Sequence, residues 1–158
     1  MEIVKRPDPP KGLSRLLYRL PIHLYRAGFG WLLGQRFMML THTGRVSGKR
    51  RQIVIEVVEH AADGSYLAAS GFGTKADWYR NVRKQPNVTI HIGRRSIPVT
   101  AEQLSAEDGA ALMARYAGRH PRAARKLASL MGFMVDGGAE DYRAVGREIP
   151  FLRFVPRT

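Results

Sequence analysis

The clearest pattern of apolar and polar positions runs from Phe37 to Tyr79, where three β-rich segments are separated by glycine-containing turns. The first predicted strand covers Phe37–Thr43. The second covers roughly Arg50–His60, with Ile53, Ile55 and Val57 on one face and a more polar set, Gln52, Val54, Glu56 and Val58, on the other. Asp63-Gly64 is a strong signal for a two-residue hairpin, and it leads to a third strand over Ser65–Ser70. This stretch therefore predicts a small antiparallel sheet.

The same pattern continues through a helix and two further strands. The helix is predicted over Lys75–Gln85 and ends at a proline, which cannot continue a helix. Strands are predicted over Asn87–Gly93 and Ser96–Leu104. Because proline donates no hydrogen bond to a neighbouring strand, Pro98 is expected only at a sheet edge or at a bulge.

The C-terminal third contains two helical patterns and one more strand. Ser105 is a typical N-cap for a helix that runs to about Ala117, and Pro121–Met131 predicts another helix. Residues 132–147 are rich in glycine and polar residues, and they predict no definite element. A last strand is expected over Ile149–Val155. Six strands, few of them joined by helices, indicate an α+β fold built on an antiparallel barrel or sheet.

The N-terminal residues predict two further segments. Residues 1–10 contain three prolines and are expected to form a flexible arm. Residues 11–34 carry leucines at helical spacing with arginines between them, and they predict an N-terminal helix. This helix either packs over one end of the sheet or lies at a membrane surface. We expect a single domain over residues 1–158, with the sheet and its helices in residues 35–158.

The composition is that of a globular protein with a strong positive charge. Apolar residues make up 44% of the chain, and Lys and Arg number 26 against 13 Asp and Glu, which gives a net charge of +13. Such an excess favours phosphate, carboxylate, nucleic acid or anionic lipid as a partner. Nucleic acid is disfavoured, because the aromatic residues are not interleaved with basic ones on the predicted strands.

The chain contains no cysteine, which limits the chemistry it can perform. Disulfides, thiolate nucleophiles and cysteine-based metal sites are excluded, so redox chemistry would need a bound cofactor. The five histidines show no metal-binding spacing, and no metal site is expected. No export signal opens the sequence, and we expect a cytoplasmic protein.

The predicted turn Gly44–Gly48 combines several features that suit an anion. Its two glycines allow close approach of a ligand to the backbone, Ser47 supplies a hydroxyl, and Arg45 in the exposed turn supplies a guanidinium. More basic residues follow at once, and strand alternation sends Arg50 and Arg51 to opposite faces. The same sequence is also compatible with an ordinary hairpin, so anion binding at this turn is a hypothesis.

A second candidate loop is Gly71–Lys75, which leads into the helix that contains Trp78 and Tyr79. Backbone N–H groups at a helix N-terminus favour phosphate, and Lys75 adds a positive charge. The spacing matches neither a Walker loop nor a dinucleotide-binding fingerprint. Trp78 and Tyr79 either fill the core or contact a ligand.

The segment LTHTGRVSGKRR and the later segment ASGFGTKADWYRNVRKQPNVTIHI resemble the deazaflavin-dependent nitroreductase family, which is related to the FMN-binding split barrels. The resemblance spans roughly Phe37 to Leu104. It implies a split β-barrel of about six mainly antiparallel strands, with an N-terminal helix and additional helices. It also implies a coenzyme F-420-dependent oxidoreductase, in which the reduced deazaflavin donates hydride to a quinone, enone or nitro acceptor.

The resemblance further implies where the coenzyme would bind. Its anionic tail would lie against the Gly44–Gly48 turn and the Lys75 loop, and its ring would lie against the second strand. The implied cofactor-binding residues are Arg45, Val46, Ser47, Gly48, Arg50, Arg51, Gln52, Ile53, Val54, Ala69, Ser70, Gly71, Phe72, Gly73, Lys75, Asp77 and Trp78. No catalytic acid or base is assigned.

Two alternatives to this function remain open. One is an FMN-binding split-barrel reductase, and the other is a non-catalytic protein that binds a lipid or a cofactor. The expected partner is a small quinone-like or nitroaromatic acceptor. We also consider a homodimer and a peripheral contact of residues 11–34 with the inner face of the cell membrane.

Overall fold

The computed structural model describes residues 2–3, 36–71 and 73–157. The predicted helix over residues 11–34 and most of the predicted arm lie outside the described residues. The described chain divides into two compact units. The sheet unit comprises the residues from 36 to Ala68, Asp77–Glu102 and the chain from Arg153, and the helical unit comprises Glu2–Ile3, Ala69–Ala76 and Gln103–Leu152. The single domain expected from the sequence stays a prediction.

Nine strands and four α-helices occur in the described residues. The strands are β1 (Glu2–Ile3), β2 (Phe37–Thr43), β3 (Arg50–Glu56), β4 (Glu59–His60), β5 (Tyr66–Ala69), β6 (Asn87–Ile92), β7 (Arg95–Gln103), β8 (Phe133–Met134) and β9 (Phe151–Pro156). The helices are α1 (Asp77–Lys84), α2 (Ala106–Arg119), α3 (Pro121–Leu130) and α4 (Ala139–Glu148), with a 3-10 turn at Gly73–Lys75. Glu2–Ile3, in the predicted arm, pairs antiparallel with β8.

The main sheet has seven strands in the order β3-β2-β6-β7-β9-β5-β4. Strands β3 and β4 lie at its two opposite edges although only Val57 and Val58 separate them in sequence. The Val57 N–H donates to the carbonyl of Arg36 at 2.7 Å, whereas the Val58 N–H donates to the carbonyl of Leu67 at 2.8 Å. The chain therefore changes its partner strand between these two valines, and the sheet must curl until its edges approach each other.

The strand count corrects the sequence prediction of about six strands. The predicted strand over Arg50–His60 is two strands, because the chain passes from one edge of the sheet to the other at Val57 and Val58. Val57 and Val58 both favour a strand, and no glycine or proline interrupts the run, so the sequence contains no turn signal at the change. The other predicted strands agree with the structure to within one or two residues.

One face of the sheet forms the core of the sheet unit. Met38 and Leu40 of β2 are fully buried, and Leu40 is opposite both Ile53 of β3 and Ile90 of β6. On the other face of β2, Met39 is also buried, whereas Thr41 and Thr43 are half-buried. The period-2 alternation of the sequence therefore separates an apolar face from a more polar one.

The sequence predicted Pro98 at a sheet edge or at a bulge, but Pro98 does not lie on an edge strand. Strand β7 is flanked by β6 and β9, and Pro98 is opposite Thr89 of β6. Its carbonyl accepts a hydrogen bond of 2.8 Å from the N–H of Arg157, one residue beyond the end of β9. Because N–H and carbonyl of a strand residue point to the same side, the missing donor of Pro98 falls at the end of the β9 ladder. There it removes no hydrogen bond from the interior of the sheet.

The helical unit is organised by a close crossing of α2 and α4. A Cβ atom on Gly109 would lie 2.6 Å from the Gly146 carbonyl oxygen, and one on Gly146 would lie 2.7 Å from the Met113 Cβ. Neither position can therefore hold a side chain without movement of the backbone. Helix α4 begins within residues 132–147, where the sequence predicted no definite element, and it ends at Glu148.

The other helices follow the sequence prediction. The Ser105 hydroxyl accepts a hydrogen bond of 3.1 Å from the Asp108 N–H, which confirms Ser105 as the N-cap of α2. Helix α3 begins at Pro121, also as predicted. Helix α1 begins at Asp77 rather than Lys75, because the preceding residues form the 3-10 turn. Among the described residues, no helix is long and apolar enough to span a membrane.

Candidate functional site

The β2–β3 turn is held by its own backbone hydrogen bonds. The Gly44 N–H donates to the Lys49 carbonyl at 2.8 Å, and the Gly48 N–H donates to the Gly44 carbonyl at 2.9 Å. Gly48 has a φ of 71°, which favours glycine. A Cβ on Gly44 would lie 2.5 Å from the Ser47 Oγ, the atom that accepts the Lys49 N–H. The backbone conformation therefore favours glycine at position 48, and a side chain at position 44 would displace the Ser47 hydroxyl.

Arg45 connects this turn to helix α1. Its Nη1 donates to Asn81 Oδ1 at 2.8 Å, and its Nη2 lies 3.1 Å from Asp77 Oδ1. The backbone N–H of Arg45 also donates to Asn81 Oδ1, at 3.0 Å. The Arg45 side chain is only 25% exposed, whereas the sequence predicted an exposed turn residue. Two of its guanidinium nitrogens are therefore occupied by groups of the protein itself.

Asn81 is buried and orients two neighbours at once. Because both Arg45 groups can only donate, the oxygen of the Asn81 side chain must face them. The Asn81 Nδ2 then faces Nδ1 of His42 at 3.2 Å and can only donate to it. His42 Nδ1 is consequently an acceptor, and the neutral ring carries its proton on Nε2.

The environment of His42 keeps its ring neutral. Burial, and to a smaller extent the nearby cation Arg51, lower the pKa of His42 from 6.5 to about 4, and Asp77 partly opposes this shift. Desolvation disfavours the charged imidazolium, and a like charge nearby acts in the same direction. The hydrogen bond from Asn81 is therefore stable at neutral pH.

The basic residues after the turn point to both faces of the sheet, as the sequence predicted. Arg51 is opposite His42 in the β2–β3 ladder, and Arg50 is opposite Thr43. The pKa of His91 is lowered first by burial and then by the charge of Arg50, which places Arg50 on the face of His91. Lys49, Arg50 and Arg51 are exposed, and they make no ion pair with a described residue.

A row of polar side chains crosses three strands on the face of Arg50. Gln52 of β3 donates to Thr41 Oγ1 of β2 at 3.5 Å, and Thr41 Oγ1 lies 3.2 Å from His91 Nε2 of β6. The sequence analysis assigned Gln52 to the site but missed Thr41 and His91. Only the pairing register of β2, β3 and β6 shows that the three meet, since they lie far apart in the sequence.

The remaining predicted residues of the sheet unit are mostly buried or half-buried. Ile53 and Val54 are half-buried on opposite faces of β3, opposite Leu40 and Met39. Trp78 is 7% exposed and packs edge to face against the Tyr79 ring, with centroids 6.2 Å apart. This burial agrees with the interpretation of Trp78 as a core residue. Val46, in the turn, is 94% exposed.

The second predicted loop belongs to the helical unit. The buried Ser70 hydroxyl donates to the Gly73 carbonyl at 2.6 Å, and the Gly73 N–H donates to the Ser70 carbonyl at 2.9 Å. Gly73 has a φ of 80°, and Gly71 faces the side chains of α3 with room for a methyl group. Lys75 is exposed. Phe72 lies outside the described residues, so the structure collects the predicted residues in two sets, one in each unit.

Solved structures with a similar backbone define the class of fold. An F420-H2 dependent reductase (FDR-A) is 22% identical, with a TM-score of 0.54 over 77% of this chain and 95% of that chain. A structure described as a domain-swapped dimer is 21% identical (TM-score 0.54, 85% of this chain, 98% of that chain). A protein related to general stress protein 26, of the pyridoxinephosphate oxidase family from Clostridium acetobutylicum, is 11% identical (TM-score 0.53, 86% and 84%). The fold is the α+β split β-barrel that the sequence predicted.

The family follows from the sequence itself. Residues 17–129 match the model of the F420H(2)-dependent quinone reductase family. The match covers more than half of the chain, and the chain belongs to this family. The protein is thus of the F-420-dependent reductase class, in agreement with the sequence prediction. A search of curated protein sequences finds no significant match.

Proposed function

We propose that the protein transfers hydride from reduced coenzyme F-420 to a quinone. The observation that carries this proposal is the match to the quinone reductase family over residues 17–129, which includes the basic β2–β3 turn. The family description supports the quinone as acceptor. An enone or a nitroaromatic acceptor, which the sequence analysis also considered, is an alternative that the assay below distinguishes.

The residues present fit an anionic coenzyme. Coenzyme F-420 carries a phosphate and a carboxylate tail, and such groups bind to N–H donors and to cations. Lys49, Arg50 and Arg51 are exposed and without an ion pair among the described residues. Ser47 accepts a bond from the Lys49 N–H and retains its own hydroxyl proton for a ligand. We assign the tail to these residues of the sheet unit, and a contact with Lys75 of the helical unit stays a prediction from the resemblance.

Arg45 has a different role in this proposal from the one first expected. Its guanidinium is bound to Asn81 and Asp77, so it serves mainly to hold the turn against α1. The turn is thereby preorganised, and less ordering is needed when the ligand binds. We therefore assign Arg45 as a positioning residue and Arg50 as a direct ligand of the tail.

The ring of the coenzyme is assigned to the face of β3 that carries Gln52 and Val54. Met39 on this face is buried, whereas Val54, Thr41 and His91 are half-buried. Accessible apolar area therefore comes from Val54, and hydrogen-bond groups come from the pair of Thr41 and His91. The bound deazaflavin supplies the hydride, and the protein supplies orientation and protection from water. No carboxylate or histidine is assigned as an acid or base.

The test is a fluorescence titration with coenzyme F-420 and, in parallel, with FMN. We expect an F-420 dissociation constant below about 10 µM and much weaker FMN binding. Arg50→Gln should raise the F-420 constant about tenfold, whereas Arg83→Gln, an exposed change on α1 of the same unit, should leave it unchanged. Tight binding of FMN alone would contradict the proposal and support the FMN-dependent alternative.

Turnover separates an enzyme from a carrier. Reduced F-420 should be oxidised in the presence of a quinone, with enone and nitroaromatic compounds compared at equal concentration. Binding of F-420 without oxidation by any of the three would favour the non-catalytic alternative. Three further expectations stay predictions. Vesicle co-sedimentation can test membrane contact through residues 11–34, and sedimentation velocity can test the homodimer. The third is the cytoplasmic location.

A further inference from the structure

The helical unit contains an open pocket of about 330 Å³ that the proposed function does not use. It lies where α2 ends and α3 begins, and its lining residues are Ala117, Pro121, Arg122, Arg125, Gly137 and Tyr142. None of them is a candidate cofactor residue. A volume of this size is at the lower end of small-molecule binding sites.

The local sequence explains why the pocket is open at this point. His120 is at once the C-cap of α2 and the N-cap of α3, so the two helices are joined by a single residue. The His120 side chain forms no cap hydrogen bond with α3. The opposite wall is the loop at Gly137, whose φ of 95° favours glycine. The Arg125 guanidinium lies against this glycine, 3.4 Å from the position of a Cβ.

Two positive charges in the pocket are not neutralised by the described residues. Arg122 and Arg125 make neither a hydrogen bond nor an ion pair with any of them. The nearby Asp136 is used by the loop itself, since its Oδ1 accepts the Gly138 N–H at 2.7 Å. Asp141 accepts the Asp136 N–H at 2.8 Å. The acidic groups of this region therefore shape the pocket wall and leave both guanidinium groups available to a ligand.

Tyr142 adds a polar group to the pocket. The residue is only 3% exposed, and its hydroxyl makes no hydrogen bond with a described residue. Fully buried polar atoms of the described side chains all have partners, so this hydroxyl retains some accessible surface, and Tyr142 lines the pocket. Because no described residue occupies it, this hydroxyl is available to hydrogen-bond to a molecule in the pocket.

We propose that this pocket binds a small aromatic anion. Arg122 and Arg125 would contact a phosphate or carboxylate group, which is the planar or multidentate recognition that guanidinium groups favour. The ring would lie on the apolar surface of Ala117 and Pro121, and the Tyr142 hydroxyl would donate a hydrogen bond to an oxygen of the ligand. The pocket shares no residue with the proposed coenzyme site.

Calorimetric titration of the full chain at low salt tests the proposal, with phenyl phosphate, benzoate and inorganic phosphate as probes. We expect at least one aromatic anion to bind about tenfold more tightly than inorganic phosphate, because the ring adds buried apolar area. The stronger of the two aromatic probes identifies phosphate or carboxylate as the preferred group. Equal affinity for inorganic phosphate, or no heat with any probe, would overturn the proposal.

Variants locate the binding. Arg122→Gln combined with Arg125→Gln should raise the dissociation constant of the best probe at least about tenfold, and Tyr142→Phe should raise it about fivefold. Lys126→Gln makes the same charge change on α3 outside the pocket lining, and it should change the constant less than about twofold.

A last variant excludes the basic β2–β3 turn as the binding site. Arg50→Gln should leave the affinity of the best probe unchanged, because the turn does not line the pocket. If Arg50→Gln abolishes binding, or if the double arginine variant retains it, the inference is wrong. Thermal unfolding of each variant checks that a loss of binding does not arise from a loss of fold.

Discussion

Replacement of Asn81 by alanine tests the network that joins the β2–β3 turn to α1. The change removes three hydrogen bonds in a buried position, two to Arg45 and one to His42. It leaves the backbone N–H of Arg45 and the Nδ1 of His42 without partners, in surroundings from which water is largely excluded. The perturbation therefore acts on the polar groups of three elements at once.

The magnitude follows from the kinds of bond that are lost. A neutral hydrogen bond contributes about 1 kcal/mol and one to a charged group about 2 kcal/mol, so the free energy of unfolding should fall by about 4 kcal/mol. This is a large part of the stability of a typical domain. For a chain of this size it corresponds to a fall of about 10 °C in Tm.

Urea unfolding followed by circular dichroism measures this loss. Asn87→Ala is a matched control, because the Asn87 Oδ1 also accepts a hydrogen bond, at 2.9 Å from Thr100, but on an exposed surface. It should cost less than about 1 kcal/mol. A loss below about 1 kcal/mol in Asn81→Ala, with an unchanged slope of free energy against urea, would refute the proposed network.

Three further predictions concern other parts of the chain. Gly146→Ala should lower the free energy of unfolding by about 3 kcal/mol, because the new methyl group meets the backbone of α2. Gly118→Ala, which has open space at its Cβ, should raise the free energy of unfolding by about 0.5 kcal/mol. Urea unfolding measures both changes. The pKa of His42 is about 4 in the folded state and 6.5 in the unfolded one, so the folded state binds the proton less readily. The free energy of unfolding should therefore be unaffected by His42 above pH 6.5 and should fall by up to about 3 kcal/mol as the pH falls toward 4. Unfolding at pH 7 and at pH 4.5 measures this difference, and His42→Gln should reduce it. Arg45→Ala should lower the free energy of unfolding by about 2 kcal/mol and weaken F-420 binding through disorder of the turn, which paired unfolding and fluorescence titrations would detect.

Most of the sheet could be predicted from the sequence, because its strands depend on local alternation and its turns on glycine. The Gly44–Gly48 turn and the strand Phe37–Thr43 agree with the structure residue by residue. What local pattern cannot supply is the partner of each strand. The passage from one sheet edge to the other at Val57 and Val58 and the internal position of Pro98 are both decided by residues far away in the sequence.

Helix α4 was missed for a related reason. Its glycine, Gly146, counts against a helix in any local reading, since glycine is about 1 kcal/mol less favourable than alanine there. The structure shows that this glycine is the contact point with Gly109 of α2. The residue that weakens the local signal is thus the one that tertiary packing requires.

The candidate site was predicted as a set of residues but not as an arrangement. Arg45 could be recognised as a basic turn residue, but its bonds to Asn81 span 36 positions and leave no local trace. His91 and Thr41 likewise become neighbours only through the strand register. The coenzyme and its general location came from the family resemblance, and assignment of single residues to it stays a prediction.

The close crossing of α2 and α4 also has an effect at a distance. Ala117 lies about two turns beyond Gly109 along α2, and Tyr142 lies about one turn before Gly146 along α4. Both pocket residues therefore lie on the two helices that cross at these glycines. Helices bend little over such lengths, so the distance between α2 and α4 at their crossing also determines the relative position of their ends. A methyl group added at Gly109 or Gly146 would therefore change the width of the pocket about 6 to 12 Å away. It would change the affinity of the proposed ligand without contacting it.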